Sequence, residues 1–147
     1  VTSPWPSPPP PPGPQPTGPQ PTGELVVHVR PPLGGGSSMM TPLLTIDGYP
    51  APLRWGRNAF VAPAGPRQLH AATRYLFTYG SAHDVVPVHP GRSTEVHYSP
   101  PAFTFLSGRM GPVPQPRPGQ TGFWVLMAVL GLALLLGLVG LVGGFLG

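Results

Sequence analysis

The sequence contains no cysteine and no lysine, and four acidic residues, Glu24, Asp47, Asp84 and Glu95, stand against eight arginines. Without cysteine there can be no disulfide, thiolate nucleophile or thiolate metal site, a composition compatible with either side of a membrane. Without lysine every side-chain cation is an arginine, and the formal surplus of +4 is mild. The arginines are spread from Arg30 to Arg117 with no run. The clustered basic stripe of a nucleic-acid surface is therefore missing, and nucleic acid is not an expected partner. No apolar stretch suited to a secretory signal peptide follows the N-terminus. The leading Val1 reads as a processed or truncated end, or as a GTG start codon.

Proline and glycine are abundant, at 26 and 21 residues, but unevenly placed. Residues 1–23 read VTSPWPSPPPPPGPQPTGPQPTG, a proline arm with two copies of PQPTG. Fixed φ angles and few backbone donors predict extended polyproline II there. The arm reads first as a semi-rigid spacer. Pro16 and Pro19 at PxxP spacing, with Trp5 as anchor, make it a candidate docking ligand for an aromatic groove.

Residues 24–111 carry short β-favouring runs: LVVHV from Leu25, LLTID from Leu43, LRW from Leu53, AFVA from Ala59, QLHAATRYLF from Gln68, VVPVH from Val85, TEVHY from Thr94 and AFTFL from Ala102. Asp47-Gly48, Pro63-Ala64-Gly65 and Pro90-Gly91 punctuate them as turns. Seven or eight strands of this spacing predict a small antiparallel β-sandwich, in a chain that is mainly β overall. The glycine-rich stretch 31–40 is expected to be a flexible loop, which leaves 41–106 as the core and Leu25–Val29 outside it.

The order IDGYP, WG, APAGPRQLHA, an apolar strand and VPVHPGRSTEVHY resembles the PEGA-type and carboxypeptidase-regulatory-like β-sandwiches. That resemblance implies that the Pro-Ala-Gly and Pro-Gly turns close adjacent hairpins. IDGYPAPLRWG, the two turns and a late C-terminal apolar helix together also resemble an actinobacterial family of small single-pass membrane proteins. Some of these look like accessory factors of the cytochrome bc and cytochrome c oxidase respiratory supercomplex. An integral membrane complex of that kind is the partner the resemblance implies.

After a proline-rich linker at 112–122, Phe123 to Leu146 has no charged residue, and its only polar side chain is the Trp124 indole. At 1.5 Å per residue it would span about 36 Å, more than a bilayer's hydrocarbon core. A single C-terminal transmembrane helix is expected, which makes the lipid bilayer a partner and the protein tail-anchored in the plasma membrane. Trp124 is the expected interfacial anchor. Arg109 and Arg117 lie shortly before the helix and nothing basic follows it, so the positive-inside rule predicts a cytoplasmic β domain. At 100° per residue Ala133, Gly137, Gly140 and Gly144 fall on one face, the small-xxx-small pattern that lets another helix approach closely.

Catalytic patterns are not found. No serine lies in GxSxG, and the local run Ser81, His83, Asp84 is not triad geometry. The histidines, at 28, 70, 83, 89 and 97, show no HExxH or short metal-ligand spacing; His89 and His97 flank one turn and could face each other across a hairpin, but satisfied surface or half-buried histidines are the expectation. PPLGGGSS lacks the lysine and following helix of a phosphate loop. No enzyme activity, cofactor, metal or small-molecule substrate is expected.

Overall fold

The computed structural model describes residues 18–146. The chain is mainly β: two four-stranded sheets followed by one C-terminal helix. The strands are β1 (Thr22–Val29), β2 (Thr41–Ile46), β3 (Tyr49–Ala51), β4 (Gly56–Pro63), β5 (Gly65–Arg74), β6 (Thr78–Val88), β7 (Ser93–Ser99) and β8 (Arg109–Gly111); the helix α1 is Gln120–Leu146. One sheet has the order β4-β1-β7-β8 and the other β3-β2-β5-β6.

Alternation along the strands builds the core. Leu25, Val27 and Val29 of β1 point inward with Val96 and Tyr98 of β7, and they share one cluster with Leu44, Leu69, Ala71, Val86 and Val88 of the other sheet. β1 is thus central to the domain, and the expected core of 41–106 is too narrow. The intervening glycine-rich segment misled that boundary: it turns through a short 3-10 stretch, Leu33–Ser38, and returns the chain to β2. Met40 at its end is tied down, since its carbonyl accepts from Trp55 Nε1 at 3.1 Å and its sulfur from the Tyr79 hydroxyl at 3.3 Å.

The pairing is not wholly antiparallel. β1 and β7 run parallel, with Val27 opposite Val96 and His28 opposite His97. The Asp47-Gly48 signal does close a hairpin between β2 and β3, with both residues in the left-handed region at φ 51° and 84°. Such a turn needs positive φ at both central positions, which Asp tolerates and Gly adopts without cost. The other two turns do something different from what the resemblance implies. Pro63-Ala64-Gly65 joins β4 to β5, and Pro90-Gly91 joins β6 to β7. In each case the two strands belong to different sheets, so these turns carry the chain across the core instead of closing hairpins.

Two expected strands are absent. Leu53-Arg54-Trp55 is an irregular approach to β4, fixed by Asn58 Oδ1 accepting from the Arg54 backbone N–H at 2.9 Å. Ala102–Leu106 follows Pro100-Pro101 and folds into turns, with Leu106 N–H donating to the Phe103 carbonyl at 3.1 Å. The run QLHAATRYLF is divided: β5 ends at Arg74, and Tyr75–Phe77 forms the tip leading into β6. Of the proline arm, Trp5 and Pro16 lie outside the described residues, while Pro19 is exposed and in no regular element.

Candidate functional site at the root of the C-terminal helix

Of the residues singled out in the sequence, Arg117 and Trp124 lie where α1 leaves the β domain. The expected linker 112–122 is not a free tether there. Ala102 N–H donates to the Pro118 carbonyl at 2.8 Å, and Gly119, at φ 77°, turns the chain into α1, whose first backbone bond runs from Phe123 N–H to the Gly119 carbonyl at 2.9 Å. A Cβ at Gly119 would lie 2.7 Å from Leu106 Cδ1 and 2.9 Å from Phe103 Cδ2, so the position requires glycine on both conformation and space. The Phe103 ring stacks on Phe105 at 5.4 Å and sits 6.4 Å from Phe123, which meets Trp124 edge-on at 5.4 Å. A row of four aromatic rings thereby joins the 102–106 turns to the first turn of the helix.

The two arginines expected to set topology have different environments. Arg109, on β8 opposite Ser99, is exposed. Arg117 is buried, at 6 % exposure, and its Nη2 donates to the Pro31 carbonyl. Burial lowers the Arg117 pKa, and the positive charge of Arg30 adds to that. It clamps the β1 exit to the helix root, and only Arg109 of the two presents its charge to the outside.

Beyond the turns beside Pro116 and Arg117, α1 stands clear of the other described residues. Every large apolar side chain from Trp124 to Val142 is exposed, and among the described residues no atom outside the helix lies within 4 Å of a Cβ built at Gly137, Gly140 or Gly144. Gln120–Gly144 is long and apolar enough to cross a membrane. Ala133, Gly137, Gly140 and Gly144 all lie within this helix, and their face is uncovered.

Four of the histidines form two stacked pairs, neither of them His89–His97, the pair that flanks one turn. The parallel register of β1 and β7 sets His28 on His97, with ring centroids 4.6 Å apart and planes within 10°. The β5–β6 register sets His70 on His83 at 4.2 Å and 8°. Burial, then the neighbouring His83, lowers the His70 pKa; burial, then His28, lowers that of His97, against a raising effect of Glu95. Ligand atoms of His28, Glu95 and His97 lie within 4.8 Å of one another, and His28 Nε2 has no hydrogen-bond partner, with Glu95 Oε1 at 3.8 Å. These are the residues that could hold a cation. Parallel stacked imidazoles, however, direct their lone pairs side by side, and a metal needs them converging, so the rings would have to tilt first. Ser81, His83 and Asp84 do not assemble into a relay: His83 stacks outward on His70, and Asp84 Oδ1 accepts from the neighbouring Val85 N–H at 2.8 Å.

Neither histidine pair is visible in sequence spacing, because each depends on strand register between distant segments. The buried role of Arg117 is equally hidden, as its partner Pro31 is 86 residues away. Comparison with protein families, curated proteins and solved structures finds no match to this chain.

Proposed function

We propose that this protein is a non-catalytic, single-pass membrane accessory subunit. Its two sheets form a β-sandwich held at the bilayer surface, and α1 packs against the helices of a larger integral membrane complex. The observation that carries the reading is the uncovered, uniformly apolar α1: in water such a helix would expose large side chains on every face, each costing roughly 1.5–3 kcal/mol relative to burial. Lipid removes that cost, and the backbone of an α-helix is satisfied internally, as a bilayer requires.

Ala133, Gly137, Gly140 and Gly144 supply the close-approach face, where van der Waals contact replaces the hydrophobic effect as the force between helices. Trp124 anchors one interface, and the exposed Arg109 favours a cytoplasmic domain in the plasma membrane. Assemblies of cytochrome bc with cytochrome c oxidase are the first partners to test, on the strength of the sequence resemblance.

The test is extraction of the full chain. It is expected to resist alkaline carbonate, and after gentle detergent solubilisation to co-purify with integral membrane proteins in fixed stoichiometry. Release by carbonate would remove the membrane reading. Recovery with soluble groove-bearing proteins alone would favour an adaptor acting through the proline arm.

A further inference from the structure

The strand directions determine which residues share the end of the domain from which α1 departs. β1 ends there, because Arg117 holds the Pro31 carbonyl. β7 is parallel to β1 and ends beside it, with Arg109 opposite Ser99, and the antiparallel β4 begins there, with Gly56 opposite Val29. In the second sheet the Tyr98 hydroxyl reaches the Gly80 carbonyl at 2.7 Å, which brings the β5–β6 tip to the same end. Thr41, opposite Arg74, brings the start of β2 with it.

Two kinds of side chain collect at this end. Among the described residues outside α1, five of the nine exposed large hydrophobics are here: Met39, Tyr75, Leu76, Phe77 and Phe105. Leu76, at 83 % exposed, is the most open of the nine, and Phe105 is 80 % exposed. Four exposed arginines, Arg30, Arg54, Arg74 and Arg109, lie among them. The acids are elsewhere: Glu24 opens β1, Asp47 occupies the far β2–β3 turn, Asp84 lies opposite Leu69, and Glu95 opposite Val26. Four of the eight arginines are thus set apart from the acids by the fold, while Arg57 and Arg67 pair with Glu24 and Asp47.

We propose that this end of the β domain docks on the bilayer that α1 spans. The Tyr75–Phe77 tip and Phe105 enter the boundary between headgroups and acyl chains, while Arg30, Arg54, Arg74 and Arg109 engage the phosphates of anionic lipids. The inference rests on the membrane reading of α1. Continuity with the helix root argues for lipid as the occupant, because Phe105 stacks on Phe103, which contacts Phe123 in the first turn. A helix entering the bilayer at Trp124 carries the headgroup layer to these rings. Exposed aromatics mixed with basic residues and free of acids match the chemistry of that layer.

Because the protein has no cysteine, single-cysteine variants accept one fluorophore each. Full-length Leu76→Cys, Val61→Cys on the far half of β4, and Leu134→Cys within α1 would be labelled with an environment-sensitive dye. They would then be reconstituted in phosphatidylcholine–phosphatidylglycerol vesicles carrying nitroxide-labelled acyl chains. Quenching is expected at positions 134 and 76 and not at 61. Loss of quenching at 134 would remove the spanning reading itself. Quenching at 134 with position 76 no more quenched than 61 would overturn the docking while leaving the span intact, and would give this end to a protein neighbour. Adding Arg74→Gln to the Leu76→Cys protein should lower the ratio of docked to undocked molecules roughly fivefold in these vesicles, and leave it unchanged in pure phosphatidylcholine. Equal behaviour in both lipids would overturn the arginine contacts.

Discussion

The Tyr98 hydroxyl donates to the Gly80 carbonyl at 2.7 Å, a buried bond that joins β7 of one sheet to β6 of the other. A phenol has one proton, so the second contact, at 3.2 Å, has the Thr73 hydroxyl donating to Tyr98. Burial pushes the Tyr98 pKa up to about 12, so the group stays neutral and keeps that proton. Tyr98→Phe leaves the ring in place and strands both the Gly80 carbonyl and Thr73. A loss of about 1–3 kcal/mol is expected in chemical denaturation, with the fold retained. A variant as stable as the parent would mean that water or a shifted neighbour satisfies the carbonyl.

Stability should fall on mild acidification. The folded pKa values of His70 and His97 lie below the ordinary 6.5, with burial as the first cause and the stacked partner as the second. The unfolded chain therefore takes up protons first as pH drops. Stability is complete above about pH 6.5 and is lost as pH falls toward the lower folded values. Asp47 acts in a different window. Hydrogen bonds from the Gln68 N–H and Arg67 hold its carboxyl below 3.8, so its contribution is present above that value and goes only in stronger acid. Thermal unfolding from about pH 7.5 to about pH 5 thus reads the histidines. His83→Asn, which removes the charge facing His70, should flatten part of the slope. An unchanged slope would place the proton uptake elsewhere.

At the helix root, Gly119→Ala tests whether the junction is built or loose. The residue sits at φ 77°, and a Cβ would press on Leu106 and Phe103. The left-handed conformation alone costs alanine about 1–2 kcal/mol, and the contact adds to it. The expected result is a destabilised 102–119 segment, seen as faster amide exchange at Ala102 and Phe123, whose N–H groups donate to Pro118 and Gly119. Unchanged exchange at both would show that the turns and the helix are not coupled.

Much of the fold was legible from period and punctuation. The alternation of LVVHV, LLTID, AFVA and TEVHY marked four strands, the Asp47-Gly48 signal marked a hairpin, and the charge-free tail marked α1 nearly to its ends. Long-range relations were not legible. The turns at Pro63 and Pro90 look the same in sequence whether they close a hairpin or cross between sheets. Tyr75–Phe77 carries no glycine, proline or asparagine to signal its turn, so it read as the end of a strand. β8 has three residues, too few to show a period. At the helix root, Trp124 and the glycine spacing could be found by inspection, whereas Arg117 read as a surface charge because nothing nearby announces its contact with Pro31.

The final prediction concerns the helix face. Gly137→Leu with Gly140→Leu adds bulk at the point of closest approach while raising hydrophobicity, so insertion should persist. Within lipid, neighbouring helices gain little from apolar burial and associate through contact that close backbones permit. Two leucines on that face hold the backbones apart, and co-purification with integral membrane partners should fall while carbonate resistance remains. Leu135→Ala with Leu138→Ala, at positions off the glycine face, serves as the control and should leave association intact. If the double leucine variant retains its partners at the parental stoichiometry, the glycine face is not the contact. Recognition would then have to come from the β domain or the proline arm.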